Sequence, residues 1–215
     1  MARPRRGDGR PRVSVAPSGA ADPPHLLVVR HGESTWNAEH RWAGEADPPL
    51  TDRGRSQARD LGTSLGSVDV TRIISSDQRR ALETAELLAE RLGIAEVATD
   101  ERLRERRCPA WSGLTTDEIE RRHPGVLQQW RAGALRDLPR PSEPWDGFET
   151  RVLAGLHDAV LDGGLTIVAT HAGVFRVLDA QRHDPSPRME NATGRWLRRR
   201  DDVFVECEPP ASMRR

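Results

Sequence analysis

Leu26-Leu27-Val28-Val29-Arg30-His31-Gly32-Glu33-Ser34 is the stretch on which the reading of this chain turns. Its four apolar residues have the length and composition of a buried strand. The run then stops at a cation, an imidazole and a glycine. An apolar strand that delivers Arg30, His31 and Gly32 at its carboxyl end puts reactive groups where open α/β sheets hold their ligands. Taken alone, the triplet fits equally well a polar turn whose histidine only caps or hydrogen-bonds. The choice between the two rests on the remaining sequence.

With 215 residues, 36% of them hydrophobic and 31% charged, the chain reads as one sizeable domain with a polar surface. A chain of this length can bury roughly 70% of its unfolded surface, so no staple is required. No apolar run approaches the ~20 residues of a membrane span. Residues 1–24 contain no apolar stretch of a secretory signal, and nothing hydrophobic closely follows the twin arginine Arg5-Arg6. Cys108 and Cys207 form no metal or redox spacing, and a reducing cytoplasm is the expected compartment. Net charge is zero, but residues 1–24 carry five Arg against Asp8 and Asp22, a local +3 that leaves about −3 on the rest. Without a global basic field, neither nucleic acid nor a membrane is an expected partner. An anionic small molecule would need a local cluster of cations. Every basic residue apart from histidine is Arg, which excludes Schiff-base chemistry and a P-loop lysine. The absence of Tyr excludes phenolic acid–base chemistry.

Residues 1–24, rich in Arg, Pro, Gly and Ala, read as a disordered tail, and 25–215 as a single domain. After the opening strand, residues 36–49 are loop-like. Thr51 is placed to cap a helix running to about Leu65, and 72–75 reads as a second strand. Asp77 is placed to cap a long helix that Gly93 ends. A short strand over 95–98 follows. The stretch 101–144 is irregular, with short helices over 116–122 and 126–131 separated by Pro124-Gly125. A helix over 148–161 precedes the clearest buried strand, 165–169. Thr170-His171-Ala172-Gly173 and a helix to Ala180 come next, then closing strands over 195–197 and 203–205. Alternating strands and helices imply a three-layer α/β/α sandwich: a mostly parallel central sheet with an antiparallel strand and a small cap insertion over about 101–147.

Three strand ends carry matching chemistry. One ends in Arg30-His31-Gly32, one in Ser75-Ser76-Asp77 with Arg79-Arg80 opening the next helix, and one in His171-Ala172-Gly173. In a parallel sheet these ends share an edge, so two histidines and two or three arginines converge. Guanidinium forks match the oxygens of a phosphate monoester. A neutral imidazole can attack phosphorus in line, splitting hydrolysis into two steps. A second imidazole, protonated by bound phosphate, can stabilise charge on the equatorial oxygens. A glycine beside a histidine allows backbone N–H groups close to phosphate. No HExxH, paired-carboxylate motif or strand-end acidic cluster suggests a metal, and no cofactor is called for.

On these motifs the chain resembles the histidine phosphatase superfamily, also called phosphoglycerate mutase-like. The resemblance is carried by 30–37 (Arg-His-Gly-Glu-Ser-Thr-Trp-Asn), 46–54, 75–85, Leu103-Arg104-Glu105, Trp111 to Thr115, and 168–173, in the family's order over about 25–205. It implies that His31 is the phosphorylated nucleophile, that Arg30 and Arg80 clamp phosphate, and that His171 is the second phosphate-binding histidine. It implies a further phosphate contact from Asn37, with Gly32 and Ala172 beside the two histidines. Glu105, which among Arg104, Arg106 and Arg107 also reads as a surface ion-pair partner, then matches the proton donor to the leaving oxygen. Arg79 reads as a solvated helix cation. His25, His40, His123, His157 and His183 match no motif position, and Cys108 lacks a partnered base.

The family contains phosphatases and mutases. The mutase branch typically carries a Tyr-Gly pair after the catalytic Glu and a longer, Lys-containing cap. This chain has Arg106-Arg107-Cys108-Pro109-Ala110-Trp111 there. Trp36, Trp42, Trp111, Trp130, Trp145 and Phe148 would suit a pocket rim for a partly apolar leaving group, or would pack the cap. The expectation is a metal-independent phosphomonoester hydrolase acting on a small phosphorylated metabolite. Arg106 and Arg107, as readers of a second anionic group, keep a phosphoglycerate mutase-type transfer or a sugar bisphosphatase open. A weakly active binding module is the remaining alternative. Pro109-Ala110-Trp111-Ser112-Gly113 and Trp145-Asp146-Gly147-Phe148-Glu149 depart from the family's usual Gly-Glu/Asp-Trp-Glu-Gly and Gly-Gly-Glu-Ser segments, both near the expected substrate side.

Overall fold

Leu26, Leu27, Val28 and Val29 alternate between the two faces of a sheet, and both faces are covered. The structure, a computed structural model, describes residues 25–213 except 45, 133–135, 161–163 and 183–188. The arginine-rich segment 1–24 and His183 therefore lie outside the described residues. In chain order the elements are β1 (Leu26–Arg30), α1 (Thr35–Ala38), α2 (Asp52–Ser64), β2 (Arg72–Ser75), α3 (Arg79–Leu92) and β3 (Val97–Thr99). They continue with α4 (Thr116–Arg122), α5 (Val126–Arg131), α6 (Trp145–Ala159), β4 (Thr166–Thr170), α7 (Ala172–Arg182), β5 (Gly194–Arg200) and β6 (Val203–Glu206).

The six strands lie in the order β3-β2-β4-β1-β5-β6. β1, β2, β3 and β4 pair in parallel, and β5 runs antiparallel between β1 and β6. Leu26, Val28, Ile74 and Val168 face α6 and α7 through Val152, Leu156, Val174 and Leu178. Leu27, Val29, Ile73 and Ile167 face α2 and α3 through Leu65, Ala85 and Leu88. The result is the expected α/β/α sandwich. No described helix is long and apolar enough to cross a membrane.

Between β3 and α6 the chain builds a third apolar cluster from Cys108, Trp111, Leu114, Ile119, Leu127 and Leu138. Trp42, Trp111 and Trp130 meet edge to face at its centre, with ring centroids 5.0 to 6.0 Å apart. Each such pair adds about 0.5–1.5 kcal/mol beyond area burial. Arg176 of α7 stacks its guanidinium 3.5 Å from the Trp130 ring centroid, tying α5 to the sheet. These tryptophans pack rather than form a rim, and Trp145 and Phe148 belong to the main core. Trp36, Trp42 and Trp130 stay partly exposed, and of these Trp36 lies outside the cluster, in α1.

Three local readings need correction. Residues 36–38 are helical: Ser34 and Asn37 form a capping box that winds α1. Asp77 does not cap α3; Gln78 occupies that position without a side-chain bond, and the Asp77 carboxylate pairs with Arg104 instead. α6 begins at Trp145, because Pro144 at the N-cap has its φ preset at −56° and the Trp145 N–H finds Asp137 Oδ1 at 2.8 Å.

Candidate active site

The sheet register brings the strand ends together. Arg30 pairs with Thr170 across β1 and β4, and Ser75 with Ala169 across β2 and β4. The ladder continues one step further: the His31 N–H donates to Thr170 O and the Ser76 N–H to Ala169 O, both at 2.9 Å. His31, Ser76 and His171 thus emerge side by side. The two imidazoles lie 5.3 Å apart, centroid to centroid, at an interplanar angle of 61°.

Hydrogen bonds fix both rings. His31 Nδ1 donates to its neighbour Gly32 O at 2.6 Å, which leaves Nε2 as the lone-pair nitrogen. Arg80 Nε points at that nitrogen from 3.2 Å. His171 Nε2 bonds to Ser76 Oγ at 2.8 Å, and its Nδ1 is buried with no hydrogen-bond partner. A buried unpartnered nitrogen beside two arginines is suited to an incoming anion.

The arginines are buried too. Arg80, 1% exposed, also donates to Ala46 O and Gln78 Oε1 and faces Asp47. Burial lowers its pKa, opposed by the charges of Glu105 and Asp47. Arg30, at the end of β1, donates to Met189 O at 2.7 Å. Glu105 is half-buried. Its Oε2 accepts from the Gly173 N–H at 3.1 Å, and its Oε1 from the Arg106 N–H at 2.7 Å. Ala172 opens α7 next to His171, so its N–H is one of the helix's free-ended donors.

Two expectations take a different form. The Gly32 N–H is committed to Thr84 Oγ1 at 3.0 Å, so it is not free for phosphate. Glycine is needed there because a Cβ would overlap the Gly54 carbonyl, just as a Cβ on Gly54 would overlap Glu33 O. Asn37 Oδ1 is spent on the Ser34 N–H and on Asn191 Nδ2, leaving its own amide nitrogen for any further contact. Arg79 is exposed, as expected of a solvated cation.

Four neighbours of the site take no role from the sequence alone: Ser76, Gln78 and Thr84 lie within the 75–85 motif, and Asn191 lies in no motif. Asn191, in the turn before β5, donates to His31 O at 3.0 Å and reaches Gly32 O and Asn37. Thr84 links Gly32 to the first turn of α3. Gln78 Oε1 accepts from both Arg80 and the Glu105 N–H. Ser76 orients His171.

Burial, then the positive charge of Arg80, holds both histidines well below the usual imidazole range; Arg30 adds to this for each, and His31 for His171. Folded, they stay neutral where the unfolded chain protonates, so below about pH 6.5 the unfolded state binds more protons. Stability is therefore flat above that pH and falls as pH drops, by up to ~1.4 kcal/mol per pH unit for each histidine. Urea titrations between pH 7.5 and 5 should show this fall, and saturating inorganic phosphate should reduce it. An unchanged midpoint across that range would contradict neutral buried imidazoles.

Residues 26–197 match the model of the histidine phosphatase superfamily (branch 1). Phosphoglycerate mutase-like protein 4 of Arabidopsis thaliana is 36% identical over 168 residues, 76% of this chain and 72% of that protein. Glucosyl-3-phosphoglycerate phosphatase of Mycolicibacterium vanbaalenii is 35% identical over 164 residues, 72% of each chain. Among solved structures, a mycobacterial glucosyl-3-phosphoglycerate phosphatase with VO3 superposes with a TM-score of 0.74 at 30% identity, covering 84% of this chain and 96% of that one. Fold, strand-end chemistry and matched length agree, and the chain belongs to branch 1 of the histidine phosphatase superfamily.

Proposed function

We propose that the protein is a metal-independent phosphomonoester hydrolase that works through a phosphohistidine on His31. The observation that carries this reading is the tautomer lock: with Nδ1 donating to Gly32 O, the His31 Nε2 lone pair is held at the strand end, between the buried arginine Arg80 and His171. Arg80 exchanges the His31 nitrogen for a phosphoryl oxygen when substrate enters, which frees Nε2 for in-line attack. Nε2 bonds to phosphorus, the ester P–O bond breaks, and its electron pair leaves with the oxygen. The Glu105 carboxyl supplies the proton that makes the leaving group a neutral alcohol. Water then attacks the phosphohistidine, gives its proton to the Glu105 carboxylate, and the P–N bond breaks to release phosphate and neutral His31. Arg30, Arg80 and His171, kept neutral by burial and protonated as the phosphate dianion enters, spread the charge of the equatorial oxygens, and Asn37 Nδ2 and the Ala172 N–H are the further phosphate contacts.

Hydrolysis is favoured over mutase-type transfer by the fate of Arg106. Its guanidinium is 5% exposed and donates to Arg136 O, Glu143 O and Asp137 at 2.6 to 3.0 Å. Arg151 is held by both carboxylate oxygens of Glu143 and three backbone carbonyls. These cations hold the segment around Glu105 and are not offered to a second anionic group. Arg107, by contrast, is exposed and can still meet a second anionic group, so the substrate class is a small phosphorylated metabolite, with or without a further charge.

Glu105→Gln tests the acid role. With EDTA present throughout, kcat/KM for an alkyl phosphate is expected to fall ~10²–10³-fold, and for p-nitrophenyl phosphate less than about tenfold, because a good leaving group needs little protonation. Only steps up to alcohol release enter kcat/KM, so the later water step does not blur the comparison. Equal losses on the two substrates, or wild-type activity abolished by EDTA, would overturn the reading.

A further inference from the structure

The geometry points to Gly173 as the positioning residue for the Glu105 carboxylate, an inference that rests on the acid–base role proposed above. Gly173 is the second residue of α7, one step past Ala172 and two past His171. Its N–H holds Glu105 Oε2 at 3.1 Å, while the Arg106 N–H holds Oε1 at 2.7 Å. A Cβ on Gly173 would overlap Glu105 Oε1 and lie 3.1 Å from both Glu105 Cδ and Phe148 Cζ. The missing side chain is therefore the space in which the carboxylate sits.

That space has a chemical purpose. The carboxyl lies at the amino end of an eleven-residue helix that begins beside the phosphate-binding histidine. The helix begins at the residue after His171 and its second amide, that of Gly173, holds Glu105, so the acid and the phosphate share one rigid reference. The wall opposite is Phe148 of α6, fully buried, which cannot retreat. A carboxylate displaced from the Gly173 amide would lose its fixed distance to the leaving oxygen, and general acid catalysis depends on hydrogen-bond reach. Elsewhere near the site the glycines meet backbone: Gly32 against Gly54 O, Gly54 against Glu33 O. At Gly173 the colliding atom is the end of a side chain, which can swing away. The backbone of Gly173 is not left-handed, and alanine is the better helix former. Gly173→Ala should accordingly fold and lose activity by moving one carboxylate.

The test is a cycle of Gly173→Ala, Glu105→Gln, Glu105→Ala and the double variant Glu105→Ala/Gly173→Ala, each assayed for kcat/KM on an alkyl phosphate and on p-nitrophenyl phosphate, with thermal midpoints. Gly173→Ala is expected to lose ~10²-fold on the alkyl ester and at least tenfold less on p-nitrophenyl phosphate. In the Glu105→Ala background the glycine change should cost nothing further in kcat/KM on either substrate, because the carboxylate it displaces is gone, while the 3.1 Å approach to Phe148 Cζ remains and lowers the thermal midpoint in both backgrounds. That comparison holds even where Gly173→Ala alone melts early. Equal losses on both substrates, or an added loss of kcat/KM in the Glu105→Ala background, would overturn the inference. If Glu105→Gln is itself indifferent to the leaving group, the acid assignment falls; if Glu105→Gln discriminates and Gly173→Ala does not, only the role of Gly173 falls.

Discussion

Replacing His31 by alanine is expected to remove turnover by ~10⁴-fold or more, because it removes the Nε2 lone pair proposed to accept the phosphoryl. His171, the neighbouring imidazole, has its Nε2 tied to Ser76, and its unpartnered Nδ1 is the acceptor that a surviving phosphoenzyme would point to. The covalent intermediate gives the sharper readout. Wild-type protein quenched with a labelled phosphomonoester should retain an acid-labile, base-stable phosphoryl group, and His31→Ala should retain none. A phosphoenzyme that survives the substitution identifies a different nucleophile. The variant should also be less sensitive to acid than the wild type. It lacks one of the two buried imidazoles whose depressed pKa weakens the folded state below about pH 6.5.

Arg80→Met, which keeps much of the buried stem, is expected to lower kcat/KM by ~10²–10³-fold, the scale of removing one preorganised donor from a developing charge. A second signature separates lost electrostatics from a disturbed core. The charge of Arg80 lowers the pKa of both His31 and His171. Without it both rise toward the ordinary imidazole value, so the acid limb of the kcat/KM profile moves to higher pH. Arg80→Lys should hold that limb in place while still losing the fork geometry. A loss below tenfold in Arg80→Met, or an acid limb that stays put, would show that Arg80 acts through packing alone.

The parts of the fold that are legible in sequence are those fixed by local chemistry. The helices over 116–122 and 126–131 appear where expected, because Thr115 and Glu118 form a capping box and Gly125 takes the left-handed backbone that separates the two. The strands carrying Arg30 and His171 are unambiguous apolar runs ending at chemistry, and the sheet register does the rest. Other features depend on what folding brings alongside. Asn191 follows a segment with no motif and reaches His31 only because β5 pairs with β1. Arg106 and Arg107 look alike in sequence, yet one is buried among carbonyls and the other exposed. Trp42, Trp111 and Trp130 gather into one cluster because ring edges and faces fit, which spacing does not reveal. Asp77 has the chemistry of a cap, but a charged partner in Arg104 outbids a backbone amide.

The third apolar cluster separates two tasks that the chain performs. The groups proposed to act on phosphorus, His31, Arg30, Arg80 and His171, are buried at the ends of neighbouring strands and the start of the helix after β2, at the edge of the sheet that the two main cores enclose. The segment between β3 and α6, which supplies Glu105, packs with Trp42 around its own apolar centre at Trp111 and Trp130. Mutations that reshape that centre change its outer surface without touching the ladders beneath. Substrate preference can therefore drift in this molecule while its reaction stays constant, and a graft of residues 106–143 from a relative with another preference should carry the preference and leave the phosphoenzyme chemistry behind.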